Sequence, residues 1–207
     1  MRDQYTCAYV KKTWYKSGGV NLIINPRGTH GSGKSTVVLE LLKKYKGERL
    51  GEGKRPEGYA VQLPGVKKPL YVVGAYETQC GGADTIQPYA TIWPRVEAYA
   101  KLGHVIFEGA LVSCSVGSLG EQMIARKKDC VVGYLDTPVE ECLRRIEARR
   151  AAKGVTGEFN RGNTERKYKS TAATRPKFEA AGVKCVTLSC KKGQAAKQVE
   201  ELLRGGK

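Results

Sequence analysis

Acidic residues are scarce in this chain of 207: 20 aspartates and glutamates stand against 36 lysines and arginines, a formal net charge of +16. An excess of that size, with a pI near 9.6, is unusual for an enzyme whose substrates are only small anions. It favours a polyanionic partner, nucleic acid first and an anionic membrane surface second, unless the cations are simply spread over solvated surface. Histidine is scarcer still, with two, and none of the seven cysteines forms a C-x-x-C pair, which argues against a zinc site. Their odd number fits reduced, mostly buried thiols of a cytoplasmic protein better than a disulfide framework. An apolar leader core is missing from the N-terminus, and no apolar run is long enough to span a bilayer. Neither secretion nor membrane insertion is expected.

What the chain does have is a phosphate-binding signature. Residues 20–24 form a short apolar run suited to a buried strand. Gly28, Thr29, His30, Gly31, Ser32, Gly33, Lys34 and Ser35 then fit G-x-x-x-x-G-K-[ST], with Thr36 following. Val37, Val38, Leu41, Leu42 and Tyr45 recur at helical spacing, and Lys43, Lys44, Lys46 and Gly47 close the pattern. Glycines let the backbone curl until several N–H groups point at phosphate oxygens, above the positive end of the helix. Residues 28–36 are therefore expected to bind a nucleoside triphosphate, with Lys34 on the β- and γ-phosphates and the Ser35 hydroxyl on Mg²⁺.

The rest of the chain reads as a single α/β domain over residues 1–207. Residues 1–19 interleave Tyr5, Tyr9, Trp14 and Tyr15 with lysines, a pattern that suits either a nucleic-acid-facing arm or an edge strand. Residues 47–69 are polar and turn-rich, a surface excursion with a short strand at 59–63. Residues 70–75 are a second strand, followed by a polar loop that carries Tyr76, Glu77 and Asp84. Such loops lie at the carboxyl ends of parallel strands, where ligands bind. These three residues are thus candidates to meet the phosphoryl acceptor, with Asp84 able to take the proton of an attacking hydroxyl or else to cap a helix.

Residues 86–102 look helical, with Pro94 expected to kink the helix. Tyr89 and Trp93 fall four apart on its face, suited to stacking on a nucleobase or to core packing. A third strand at 104–112 carries Glu108 after an apolar run, where P-loop enzymes place a carboxylate aimed at Mg²⁺ or its waters. A helix at 118–128, a fourth strand at 131–135 and a fifth at 184–189 follow, with a terminal helix at 195–203. Thr137-Pro138-Val139-Glu140 reads as a capping box. Arg145 and Arg149 share a face of the helix it opens, and Arg161, Arg166 and Lys167 sit in the polar stretch beyond. Residues 149–169 have the character of a phosphotransferase lid, although a solvated helix face has the same composition.

The order of P-loop, strand ending in Glu108-Gly109 and the L-D-T-P-x-E-x-C-L-R-R-x-x-x-R run at 135–149 resembles the P-loop nucleoside and nucleotide kinases over most of residues 20–203. That resemblance implies a three-layer α/β sandwich: a parallel five-stranded sheet, helices on both faces and a mobile lid, with ATP and Mg²⁺ as cosubstrates. Within the group, Y-E-T-x-C-G-G-x-D-T-I at 76–86 is similar to virus-encoded kinases that phosphorylate 5-hydroxymethyluracil bases in DNA. A DNA substrate would account for the basic charge, and the place of action would be the host cytoplasm. The D-R-S-like motif of deoxynucleoside kinases is missing, so the catalytic base of monomer kinases is not carried over. The expected catalytic set is Lys34, Asp84, Glu108, Arg145 and Arg149, with Ser35 and Glu108 at the metal. Substrate contacts are expected from Tyr76, Glu77, Tyr89, Trp93, Arg161, Arg166 and Lys167. Alternatives are a deoxynucleoside or nucleoside-monophosphate kinase, a polynucleotide 5′-hydroxyl kinase, and a nucleotide-binding switch that phosphorylates nothing.

Overall fold

Each central strand carries apolar side chains on both of its faces, and the structure, a computed structural model describing residues 21–78 and 81–205, covers both faces with helices. The aromatic and lysine-rich stretch at 1–19 lies outside the described residues. In chain order the elements are β1 (Ile23–Arg27), α1 (Lys34–Tyr45), β2 (Glu48–Leu50), β3 (Gly58–Val61), β4 (Leu70–Val73), α2 (Ile92–Ala100) and β5 (His104–Ile106). After them come α3 (Ala110–Ser113), α4 (Leu119–Ala125), β6 (Cys130–Leu135), α5 (Val139–Ala152), α6 (Arg161–Ala180), β7 (Lys184–Leu188) and α7 (Gln194–Leu203).

The strands lie in the order β2-β3-β4-β5-β1-β6-β7. Five of them, β4 to β7 in that spatial order, run parallel. The sheet has seven strands rather than the expected five, because residues 47–69 build an antiparallel hairpin onto its edge. The excursion belongs to the core: Leu50, Val61, Leu63 and Val66 are all buried. Their apolar positions are separated by glycine, proline and charge, which hides the pattern.

Alternation along the strands sorts the core into two layers. Ile23, Val105 and Val132 face α2, α4 and Phe178 of α6, whereas Ile24, Ile106 and Leu188 face α1 and α7. Val37, Val38 and Leu41 on α1, and Ala195, Ala196, Val199 and Leu203 on α7, are the buried stripes that meet the second face. β1 runs beyond the expected residue 24 and through Pro26 to Arg27. A proline is tolerated here because the even-numbered residues of β1 pair toward β5, and that ladder ends where the Phe107 amide donates to Ile24 O.

Three further differences have local causes. The third strand stops at Ile106, and residues Ala110–Ser113 are helical rather than extended. Pro94 does not kink α2, which starts at Ile92, so the proline sits in the first turn where its missing N–H costs nothing. Thr137 caps no helix: its hydroxyl donates to Ser32 O at 2.7 Å, tying the end of β6 to the glycine loop.

The polar stretch after α5 is mostly helix. Residues 153–160 connect α5 to α6, whose first turn is capped by the Asn160 side chain accepting from the Asn163 amide at 2.9 Å. Thr164, Thr171, Thr174 and Phe178 form the buried face of α6. Threonine in three of the four positions makes that face read as polar. No helix among the described residues is long and apolar enough to cross a membrane.

Candidate active site

The glycine loop between β1 and α1 takes its shape from residues that only glycine serves well. Gly31 and Gly33 have φ of 76° and 101°, in the left-handed region. A Cβ on Gly31 would lie 2.5 Å from Cys142 O, so the loop rests directly on α5. Thr29 donates to Thr164 O at 3.0 Å, which joins the loop to α6 as well.

A cleft of about 490 Å³ opens over this loop at the carboxyl edge of the parallel strands. Residues 30–36 line it together with Asp84, Glu108, Arg145 and Arg149, whereas Gly28 and Thr29 of the expected nucleotide loop do not. Lys34 is buried, and its Nζ donates to Gly28 O at 2.8 Å and Thr29 O at 3.0 Å. Burial pulls its pKa below the usual lysine value, and the nearby Glu108 and Asp84 carboxylates oppose the shift.

Glu108, two residues beyond the end of β5, is almost fully buried. Burial raises its pKa, against the pull of Lys34 and of hydrogen bonds from Ser35 and Tyr76. The Ser35 hydroxyl donates to Glu108 Oε1 at 2.9 Å, and the Tyr76 hydroxyl donates to the same oxygen at 3.1 Å. Asp84 sits exposed in the short turn Ala83–Thr85, with Oδ2 accepting from the Ala110 amide at 2.7 Å. It therefore holds the start of α3 and faces the cleft at once.

The two arginines of α5 approach from the opposite wall. Arg145 is held by Glu141 Oε1 at 2.7 Å, and its Nη1 lies 3.4 Å from Gly31 O. Arg144 binds the same carboxylate from the solvent side, and the pair pulls the Glu141 pKa down to about 2. His30 meets Lys167 of α6, with Nε2 to Nζ at 2.9 Å. An ammonium can only donate, so Nε2 accepts and the ring proton resides on Nδ1. Burial first, and then Lys167 and Lys34, lower the His30 pKa.

Other expected contacts fall elsewhere. Trp93 is buried and packs edge-on against Phe107 at 6.4 Å, so it is a core residue and offers no ring to a base. Tyr89 precedes α2 in a separate turn and is half-buried, so the two rings do not share a helix face. Tyr76 is buried beneath Glu108, which makes it a support for that carboxylate and not a surface for substrate. Glu77 points outward, 3.7 Å from Arg49, and does not line the cleft. Arg161 pairs with Glu147 at 2.6 Å on the exposed side of the lid segment, and Arg166 is exposed, with its Nε 3.4 Å from Gly162 O.

The cleft also contains residues that sequence reasoning passed over. Glu40 of α1 and the loop 189–193, with Lys191 and Lys192, line its far end. A usable signal was present: Lys191-Lys192-Gly193 stands between a strand and a helix, as the P-loop does.

No protein-family model matches the chain. The chain is 38% identical to a 5-hmdU DNA kinase of Pseudomonas phage PaMx11 over 169 residues, 79% of this chain and 88% of the relative. Identity is 28% to the 5-hmdU DNA kinase of Pseudomonas phage M6 over 167 residues, 77% of this chain and 86% of that one. Among solved structures, a deoxyadenosine kinase from M. mycoides with products dCMP and dCDP superposes with a TM-score of 0.47 and 15% identity. That match covers 89% of this chain and 100% of the kinase.

Proposed function

The chain belongs to the family of phage 5-hmdU DNA kinases, and on that premise we propose that it moves the γ-phosphate of ATP onto the hydroxymethyl oxygen of 5-hydroxymethyluracil in DNA. The observation that carries the reading is the convergence of Lys34, Ser35, Asp84 and Glu108 around one cleft beside the phosphate loop. Those residues are a charge to follow the phosphoryl group, a hydroxyl and a carboxylate for a cation, and a second carboxylate for a proton.

Lys34 leaves its two loop carbonyls for the β- and γ-phosphates. A cation placed where negative charge develops commonly contributes about 3 kcal/mol or more to the transition state. The Ser35 hydroxyl and Glu108 are both hard oxygen donors, which fits Mg²⁺, an ion that keeps several waters and takes few protein ligands. When bound there, Mg²⁺ supplies electrostatic stabilisation of the phosphates.

The acceptor oxygen attacks Pγ, the bond from Pγ to the β,γ-bridging oxygen breaks, and ADP departs with the electron pair. Asp84 takes the hydroxyl proton. It is the exposed carboxylate of the pair, and one of its oxygens stays fixed by the Ala110 amide while the other receives the proton. Arg145 and Arg149 close on the phosphates from α5, with residues 149–169 acting as the lid that excludes water. A base inside a duplex cannot reach this cleft, so the target nucleotide is extruded, with the half-buried Tyr89 as the proposed stacking ring. Arg161, Arg166 and Lys167 are the proposed backbone contacts.

ADP release distinguishes the acceptors. DNA containing 5-hydroxymethyluracil should stimulate release strongly, whereas thymine DNA and free 5-hydroxymethyldeoxyuridine should not. Lys34→Ala should lose at least about a hundredfold of that activity at tenfold per about 1.4 kcal/mol. Equal stimulation by the free nucleoside would overturn the polymer acceptor. Slow release that ignores every acceptor would point to a nucleotide switch.

A further inference from the structure

The strand that feeds the phosphate loop ends in a charge that phosphoryl transfer does not use. Arg27 is the largest of the fully buried side chains, with no exposed surface. Its Nε donates to Asn25 Oδ1 at 2.7 Å, its Nη1 to Ser115 O at 2.9 Å, and its guanidinium carbon lies 4.5 Å from the centre of the Phe178 ring. These neighbours are polar or aromatic, and none is a carboxylate. The groups that act on it electrostatically are Tyr134, Tyr89, Cys114 and Cys185, again without an acid, and burial pulls its pKa down to about 10. Nη2 has no hydrogen-bond partner among the described residues. A buried cation with neither counter-charge nor full hydrogen bonding is among the costliest arrangements in a protein interior.

Behind the glycine loop, Arg27 lines a cavity of about 110 Å³ with Ser32, Tyr134, Thr137, Tyr168 and Thr171 among its walls. The Ser32 hydroxyl is the second buried polar atom here without a partner. Among the described residues no carboxylate lines the cavity, and Arg27 is its one charge. The space exceeds what a single water needs. One positive charge, two unused polar atoms and no acid are the complement of a small oxyanion.

We propose that this cavity binds a single phosphate-sized oxyanion, held by Arg27 and the Ser32 hydroxyl. The site lies where three parts of the fold meet: the end of β1, the phosphate loop, and the face of α6 that carries Tyr168 and Thr171. Ser32 lines both this cavity and the nucleotide cleft, so occupancy of one site is linked to the other through a shared residue. The proposal does not depend on which acceptor the kinase uses.

The test must first fill the phosphate loop, which itself binds anions. Protein saturated with a non-hydrolysable ATP analogue and Mg²⁺ is titrated with inorganic phosphate in a calorimeter. One further phosphate per wild-type chain is expected, and Arg27→Met, which removes the charge and keeps the length, should weaken it at least about tenfold. An oligonucleotide without terminal phosphates is then added as competitor. Displacement of phosphate identifies a backbone phosphodiester as the source, and its failure to compete identifies the free ion. No binding to nucleotide-loaded wild type, or unchanged binding by Arg27→Met, would overturn the proposal. Should Arg27→Met not fold, wild-type crystals soaked in tungstate decide the matter: density between Arg27 and Ser32 supports the site, and density confined to the nucleotide cleft refutes it.

Discussion

Removing a single oxygen, in Tyr76→Phe, separates two roles for the same residue. The Tyr76 hydroxyl is buried and donates to Glu108 Oε1 at 3.1 Å, the oxygen that Ser35 also binds at 2.9 Å. A hydrogen bond to an ionised group is worth about 1.5–3 kcal/mol. Burial already raises the Glu108 pKa, and losing this donor should raise it further. If Glu108 carries its charge through the transition state, kcat should fall about 10- to 100-fold at tenfold per about 1.4 kcal/mol. The acid limb of the pH–rate profile should move to higher pH, because more alkali is then needed to ionise Glu108. KM for DNA should stay within about twofold of wild type, since the phenol touches no substrate. Steady-state kinetics across pH, with circular dichroism to confirm folding, reads all three. A folded Tyr76→Phe enzyme with normal kcat and a raised KM for DNA would refute the reasoning and return Tyr76 to the substrate surface.

Asp84→Asn should keep the amide oxygen that accepts from Ala110, so α3 and ATP binding survive while kcat falls; an unchanged kcat would leave Asp84 as a cap alone. Binding of DNA without ATP should weaken with salt at a log–log slope of about −4 or steeper, at roughly −0.9 per phosphate, and neutralising Arg161, Arg166 and Lys167 together should flatten it. Because His30 titrates below its ordinary value of 6.5 in the folded chain, it contributes stability that is full above that value and lost as pH falls through it. Lys167, Lys34 and Arg149 face His30 and favour its neutral form, whereas Asp84 opposes them. Melting temperature should therefore drop on acidification below about pH 6.5, and His30→Gln should reduce the drop.

The parts of this molecule that were legible in sequence are those whose chemistry fixes spacing. The loop from Gly28 to Ser35 needs glycine at Gly31 and Gly33 for its left-handed turns, and Glu108 follows an apolar strand closely enough to reach Ser35. What was not legible depends on partners distant in the chain. Trp93 and Tyr89 fit a helical face on paper, but the helix starts at Ile92 and Phe107 claims the indole. Tyr76 and Glu77 are adjacent in a polar loop, and only the fold turns one inward to Glu108 and the other outward to Arg49. The edge hairpin and α6 were obscured by composition, since glycine, charge and threonine occupy positions that tertiary contacts bury. Pro26 misled in the opposite sense, because its missing N–H falls where the β5 ladder has already ended.

The central claim is that phosphate ends up on a base within a polymer, and the product itself tests it most directly. DNA containing 5-hydroxymethyluracil is incubated with the enzyme and ATP bearing a radioactive γ-phosphate, treated to remove terminal phosphates, then digested to nucleosides and resolved by mass spectrometry. Label retained on the polymer and recovered as the phosphomethyl derivative of deoxyuridine is the predicted result. Label released with the terminal phosphates, or found on free nucleotides while the polymer stays unlabelled, would contradict the account.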